Sequence, residues 1–173
     1  ELIEIVLDED KILKENNVIE NLTTYPELTL KNSVIRNNRA RGVLIATKHS
    51  VIENCDFHTS GAAVVLECDG RFWYESGAVE DILIKNNRFV GCKHGTWGNG
   101  VISVPKRESE VENKYYHGTV SITGNTFDNC FDDAVYADNI ENFVYKDNVS
   151  NVKQVLHLNK IGKTDIQSDA VLK

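Results

Sequence analysis

A six-residue phrase built on asparagine returns five times along this chain, and few folds accommodate such a repeat. It reads Leu30-Lys31-Asn32-Ser33-Val34-Ile35, Ile52-Glu53-Asn54-Cys55-Asp56-Phe57 and Ile84-Lys85-Asn86-Asn87-Arg88-Phe89. Ile122-Thr123-Gly124-Asn125-Thr126-Phe127 and the weaker Tyr145-Lys146-Asp147-Asn148-Val149-Ser150 continue it. The third positions fall at 32, 54, 86, 124 and 147, so the intervals are 22, 32, 38 and 23. Two short intervals of nearly one size imply a coil of fixed length; the two long ones imply insertions in neighbouring coils. The insertions fall at Cys68 to Gly77 and Gly91 to Tyr116, close enough in the stack to meet on one face.

A second ladder follows each phrase. It reads Gly42-Val43-Leu44-Ile45, Ala63-Val64-Val65-Leu66, Gly100-Val101-Ile102-Ser103, Ala134-Val135-Tyr136-Ala137 and Gln154-Val155-Leu156-His157. These are short strands rich in β-branched residues. Turn formers separate the ladders: Asn37-Asn38, Ser60-Gly61, Trp97-Gly98-Asn99-Gly100 and Asp132-Asp133. Two or three strands per turn, with Asn at fixed corners, describe an all-β fold: a right-handed parallel β-helix of about five to six coils with two loop insertions. Asn tolerates the left-handed backbone a corner needs, and stacked Asn side chains bond up a ladder. A β-sandwich has turn signals at similar spacing but no reason to repeat Asn at one register.

The ends are less regular. Leu2-Ile3-Glu4-Ile5-Val6 reads as a strand, and Asp8 to Leu22 reads equally as a short helix or as an excursion with a strand. Lys160 to Lys173 reads as a polar exit with room for one edge strand. The 173 residues are expected to form a single β-helix domain, residues 1–173, cut from a longer β-helix protein, since Glu1 is no initiator and methionine is absent. An apolar solenoid end needs a cap, further coils or a second copy, so a homodimer through an open end is one expectation.

Composition excludes several classes. A net charge of -7 and the lack of a basic, aromatic-laced cluster argue against a nucleic-acid partner. No apolar run reaches eighteen residues, so no membrane helix is expected. The four cysteines (Cys55, Cys68, Cys92, Cys130) stand at no zinc-ligand spacing, and no metal or cofactor is expected. Cys92 and Cys130 each follow a ladder phenylalanine by three residues and should stack on adjacent coils, as buried thiols rather than a disulfide.

The first insertion holds the densest chemistry. Asp69, Arg71, Trp73, Tyr74 and Glu75 fall within seven positions, with Glu67 just before. Glycoside hydrolysis needs two carboxyl groups flanking the bond, and a sugar needs aromatic platforms and converging hydrogen-bonding groups. Asp69 and Glu75 are the candidate carboxylates; the bland reading makes them turn caps beneath an aromatic lid. The second insertion offers His94, Trp97, Lys106, Arg107, Glu108, Glu110, Tyr115, Tyr116 and His117, most of which a solvated loop explains. Trp97, bracketed by glycine, is its best ligand contact. Asp132-Asp133 resembles the paired aspartates of polygalacturonase-like β-helices, but the accompanying Asn-Thr-Asp stretch and Arg-x-Lys strand are missing, so a corner turn is expected. His157 replaces an apolar ladder residue and reads as an interior histidine.

Several strings carry a resemblance. Asn37-Asn38-Arg39-Ala40-Arg41-Gly42-Val43-Leu44-Ile45, Ser60-Gly61-Ala62-Ala63, Asp69 with Trp73-Tyr74-Glu75-Ser76-Gly77-Ala78-Val79, and the Asn99 to Val104 strand resemble glycoside hydrolase family 110. These are α-1,3-galactosidases that remove terminal galactose, including blood-group B type ends, with inversion. The resemblance runs from about Tyr25 to Asn148 and implies a right-handed β-helix and a galactose-terminated glycan as the carbohydrate partner. It further implies a metal-independent mechanism, a secreted or periplasmic location, and substrate contacts from Arg41, Glu67, Arg71, Trp73, Tyr74 and Trp97. Inversion would set the two carboxyl groups about 6.5–9.5 Å apart. Three departures stand out. Cys68 replaces a glycine usual before the loop aspartate, Pro105 is followed by Lys106-Arg107-Glu108 rather than by glutamate, and no Asp-Asp-Ala coil precedes the resemblance. If that coil supplies catalytic carboxylates, this segment is inactive alone. The rival class is a non-catalytic carbohydrate-binding or adhesive solenoid.

Overall fold

The computed structural model describes residues 4–6, 15, 17–70, 72–105, 115–131, 133–151, 155–167 and 171–172. Every strand pairing among them is parallel, and together they wind a β-helix of five full coils with the start of a sixth. Three faces form the walls. The first stacks Leu28–Lys31, His49–Glu53, Asp81–Lys85, His117–Thr123 and residues 140–146 and 161–167. The second stacks Val34–Arg36, Asp56–His58, Arg88–Val90, Thr126–Asp128 and Val149–Ser150. The third stacks Val43–Ile45, Val64–Leu66, Ile102–Val104, residues 135–137, residues 155–158 and Val171–Leu172. Two long strands, Val135–Lys146 and Val155–Gln167, pass through the last corner without a break and join the third face to the first.

Register explains the core. Ile52, Ile84, Ile122 and Tyr145 are vertical neighbours on the first face. On the second, Phe57, Phe89 and Phe127 stack with centroids 5.1 and 5.0 Å apart, close to the spacing between paired strands. Val64, Ile102, Val135 and Leu156 fill the third wall. All of these are buried, so alternate residues of every strand point into one continuous interior.

The corner between the first and second faces divides its labour between two positions. Asn32, Asn54, Asn86, Gly124 and Asp147 stand at the third place of the phrase, and each has a positive φ, from 51° to 65°. This is the expected left-handed corner, open to Asn, Asp and Gly. The hydrogen-bonded ladder lies one residue later. Asn125 Oδ1 accepts from the Asn87 amide and from Asn87 Nδ2, and Asn148 Oδ1 does the same for Asn125. The Nδ2 groups of Asn87, Asn125 and Asn148 also donate to the carbonyls of Ile52, Ile84 and Ile122. The second position points inward, and its side chains carry these bonds between coils.

Within the polar C-terminal segment, residues 161–167 form the edge strand for which the sequence left room, on the first face and in register with Val135–Lys146, and Val171–Leu172 add a further short strand to the third face. Glu4 to Val6 hold no strand, the rest of the expected N-terminal strand lies outside the described residues, and residues 22–24 make one 3₁₀ turn. Cys92 and Cys130 stack as free thiols, whose Sγ atoms donate to the Phe57 and Phe89 carbonyls at 3.3 and 3.4 Å. Cys55 and Cys68 are free as well.

Candidate functional site

The insertions flank the outer surface of the third face. Within the second one, residues 91–101 lead from the second face to the third. Lys106, Arg107, Glu108 and Glu110 lie outside the described residues, as does Arg71. Outward-pointing Leu44, Val65 and Ser103, in register on successive strands, make a floor between the walls. Glu67, Asp69, Trp73 and Glu75 rise on one side, and Trp97, Gly98 and Asn99 on the other. Together they enclose a cleft of about 540 Å³, within the range of small-ligand sites.

Six residues expected to form a site line this cleft: Arg41, Glu67, Asp69, Trp73, Glu75 and Trp97. Trp73 and Trp97 are 70% and 52% exposed, large apolar surfaces left open to water on both walls of one depression. Tyr74 is placed differently. It adopts a left-handed φ of 53° and lines a neighbouring hollow of about 700 Å³ with Glu20, Lys48 and Tyr116. Glu75 borders both spaces.

The loop is organised around Asp69. Its Oδ1 accepts the Phe72 amide at 2.9 Å, and its carbonyl accepts the Glu75 amide at 3.1 Å. One residue thereby closes the turn that carries both carboxylates. Phe72 packs edge-on against Trp73, with ring centroids 4.8 Å apart. Opposite, the Trp97 carbonyl accepts the Ala62 amide, which ties the tryptophan wall to the coil below.

The loop's return leg is anchored by residues that carry no signal in the repeat. Glu20 accepts hydrogen bonds from the Gly77 amide, the Tyr25 hydroxyl and Lys48 Nζ, the last at 2.8 Å. Lys48, almost wholly buried, also donates to the Ala78 carbonyl at 2.7 Å and lies 5.1 Å from the Tyr25 ring centroid. Burial pushes the Glu20 carboxyl up, yet the bonds from Lys48, Tyr25 and Gly77 outweigh it and hold the group below its ordinary value. His117 Nδ1 accepts the Val79 amide, which leaves the proton on Nε2, a buried donor with no hydrogen-bond partner among the described residues. Burial, helped by the Lys48 charge, lowers the His117 pKa to about 4. Burial likewise drives the Cys68 thiol up to about 11, making it an inert packing group at the loop's base.

Two other expectations resolve here. Asp133 does sit at a corner, where its carbonyl accepts the Val101 amide; Asp132 lies outside the described residues. His157 is not interior. Leu156 and Leu158 occupy the inward places of that strand, and His157 shares the outward row with Tyr136. His94 is exposed, stacked edge-on against Phe131. Leu44, Val65, Asn99, Ser103 and Pro105 join the cleft without having been expected there. Among the described residues no group of three potential metal ligands converges.

A stack of parallel coils with an aromatic- and carboxylate-lined cleft on its outer wall defines a parallel β-helix with a ligand-sized depression. The chain belongs to the right-handed β-helix region family, whose model matches residues 17–158. Over most of its length it is also similar to curated α-1,3-galactosidases, so the family-110-like character of this β-helix region stands. An α-1,3-galactosidase B of Phocaeicola vulgatus is 38% identical over 154 residues, covering 83% of this chain and 26% of the relative. One from Bacteroides thetaiotaomicron is 43% identical over 115 residues, covering 64% and 19%. An α-1,3-galactosidase A of Bacteroides fragilis is 31% identical over 154 residues, covering 85% and 26%. The matched part of the chain thus spans about a fifth to a quarter of the length of these relatives.

Proposed function

We propose that these residues form one β-helix unit of an α-galactosidase-like glycoside hydrolase, and that the cleft receives the terminal galactose of a glycan. The observation that carries this reading is the meeting of Asp69, Glu75, Trp73 and Trp97, from separate excursions, in one depression of about 540 Å³. Tryptophan faces pack against the C–H face of a pyranose, while Arg41 and Glu67 offer a donor and an acceptor to its hydroxyls. Action at chain ends with inversion is part of the same proposal, as the resemblance to family 110 implies. In that chemistry one carboxylic acid protonates the departing glycosidic oxygen. The other, as carboxylate, removes a proton from water attacking the opposite face of the anomeric carbon. Asp69 and Glu75 are our candidates for the pair.

A second reading is favoured by one contact. Asp69 Oδ1 is already engaged by the Phe72 amide, as suits a residue that shapes a binding loop rather than cycling a proton. On that reading the segment grips galactose, and any hydrolysis depends on carboxylates from elsewhere in a longer chain.

Calorimetric titration with methyl α-galactoside, beside an assay for hydrolysis of an aryl α-galactoside, separates the two. Binding that is lost in Trp97→Ala supports the cleft; absence of binding by the folded chain overturns it. Turnover that vanishes in Asp69→Asn and Glu75→Gln while binding persists marks the carboxylates as catalytic. Binding without turnover favours the gripping role.

A further inference from the structure

The cleft floor is one segment of a longer row. Leu44, Val65, Ser103, Tyr136 and His157 occupy matching outward positions on five successive strands of the third face. The first three lie under the cleft. Strands in register rise about 4.8 Å each, so Tyr136 stands about one strand spacing beyond Ser103 and His157 about two. The row changes character where the cleft ends: a floor of aliphatic and small residues gives way to two rings, stacked with centroids 4.8 Å apart and planes 27° from parallel.

A carboxylate meets these rings. Asp133 Oδ2 lies 3.8 Å from His157 Nδ1, with the Asp133 side chain 13% exposed and the imidazole 44%. Asp133 is joined to the cleft wall through the backbone: its carbonyl accepts the Val101 amide and packs against Gly100, next to the cleft residue Asn99. There is no room for a side chain at Gly100, because an added Cβ would lie 2.9 Å from the Tyr136 amide nitrogen and 3.0 Å from the Asp133 carbonyl. The tight contact brings the Asp133 corner against the tryptophan wall. Beyond it the strand Val135–Lys146 runs straight through the next corner, so the coil bearing Tyr136 has no loop of the kind that closes the cleft.

We propose that Asp133, Tyr136 and His157 form a second saccharide subsite, continuous with the cleft, that takes the sugar following the terminal one. This rests on the cleft being the terminal-galactose site. The chemistry is that of a neutral pyranose: a ring edge for C–H contact, a carboxylate to accept from hydroxyls, and an imidazole held beside it. One coil rise matches the span of one pyranose ring, so a disaccharide aligned with the stacking axis reaches from Ser103 to the Tyr136–His157 pair.

The test compares methyl α-galactoside with α-galactosyl-(1→3)-galactose on the full chain by calorimetry. The disaccharide is expected to bind at least about tenfold tighter. His157→Ala and Asp133→Asn should remove that advantage and leave monosaccharide affinity unchanged. In the unsubstituted chain the His157 ring signals should shift in NMR with the disaccharide and not with the monosaccharide, a readout independent of whether a variant folds. Equal affinity for the two sugars, or an advantage that survives His157→Ala, overturns the second subsite while leaving the cleft intact. Absence of binding of either sugar overturns the cleft and the subsite with it.

Discussion

The corner after the first face and the surface outside the third ask opposite things of the same coil. At the corner each coil repeats one backbone gesture. A left-handed residue at 32, 54, 86, 124 or 147 turns the chain, and from the third coil on the next residue is an asparagine bonded to its neighbours. Outside the third face the coils diverge. The second sends out the segment that holds Asp69, Trp73 and Glu75, the third sends out residues 91–101, and the fourth and fifth run straight from the third face to the first. Regularity supplies the cohesion, because each coil buries its inner face only against the next. Departure supplies the cleft. The two can be varied separately, because the inward residues that stabilise the stack are not those that line the depression.

The largest effect should come from breaking the regular side. Phe89 is the middle ring of three, buried completely. Phe89→Ala should cost about 3–5 kcal/mol in urea unfolding, with two rings losing their neighbour at once. Asn125→Ala should follow, at about 3 kcal/mol. It strips partners from the Asn87 amide, the Asn87 side chain and the Ile84 carbonyl, all buried. The adjacent corner residue sharpens the point: Asn54→Gly should change stability by less than about 1 kcal/mol, since Gly124 already holds that place in the fourth coil. A large loss on Asn54→Gly would show that the two positions share their work after all.

Acid should loosen the other side first. His117, with its pKa lowered from 6.5 to about 4, stays neutral in the fold where the unfolded chain takes up a proton. Stability therefore falls as pH drops through that window, by on the order of 3 kcal/mol. Glu20, held below its ordinary value of 4.5, contributes fully above that value. Its share is lost as pH falls through the lower folded pKa. Both groups hold the root of the cleft loop, at the Val79 and Gly77 amides. Hydrogen exchange between pH 6.5 and 4 should accelerate at these amides, after correction for intrinsic rates, before it does at Asn87 or Asn125. His117→Gln should flatten the response above pH 4.5 and leave that of Glu20 below it. Uniform acceleration along the whole stack would overturn this local assignment.

What could be read from the sequence follows the same division. A left-handed φ is a property of one residue, so Asn and Gly at a fixed interval announce it without knowledge of neighbours. The bonded ladder was visible in the same phrases, as Asn87, Asn125 and Asn148, but which of two adjacent polar residues points inward depends on the turn between them. Trp73, Trp97, Asp69 and Glu75 were legible because large aromatics and acids crowd where the repeat is interrupted. Val65 and Ser103 were not, since an outward strand position becomes a floor only when loops from other parts of the chain wall it in. Glu20 and Lys48, 28 residues apart, meet through the winding of the coil, and no local pattern records that. His157 was misplaced by one step of alternation, enough in a strand to reverse the side it faces.

The smallest expected change in stability is the most telling for the comparison. Trp73 projects from the loop with 70% of its surface in water and touches Phe72 edge-on. Trp73→Ser removes little buried area, so the urea midpoint should shift by less than about 0.5 kcal/mol. Affinity for methyl α-galactoside should nevertheless fall at least about tenfold, because a pyranose packed on an indole loses its platform. Trp97→Ser, tested alone, separates the walls further: its Cβ lies where a Cβ at Gly61 would come within 2.7 Å, so its base is packed while its ring is open. A modest stability loss with the same loss of affinity is expected there. If Trp73→Ser lowered stability as much as a ladder residue does, the loop would belong to the cohesive part of the molecule, and a division between stack and cleft would not describe this fold.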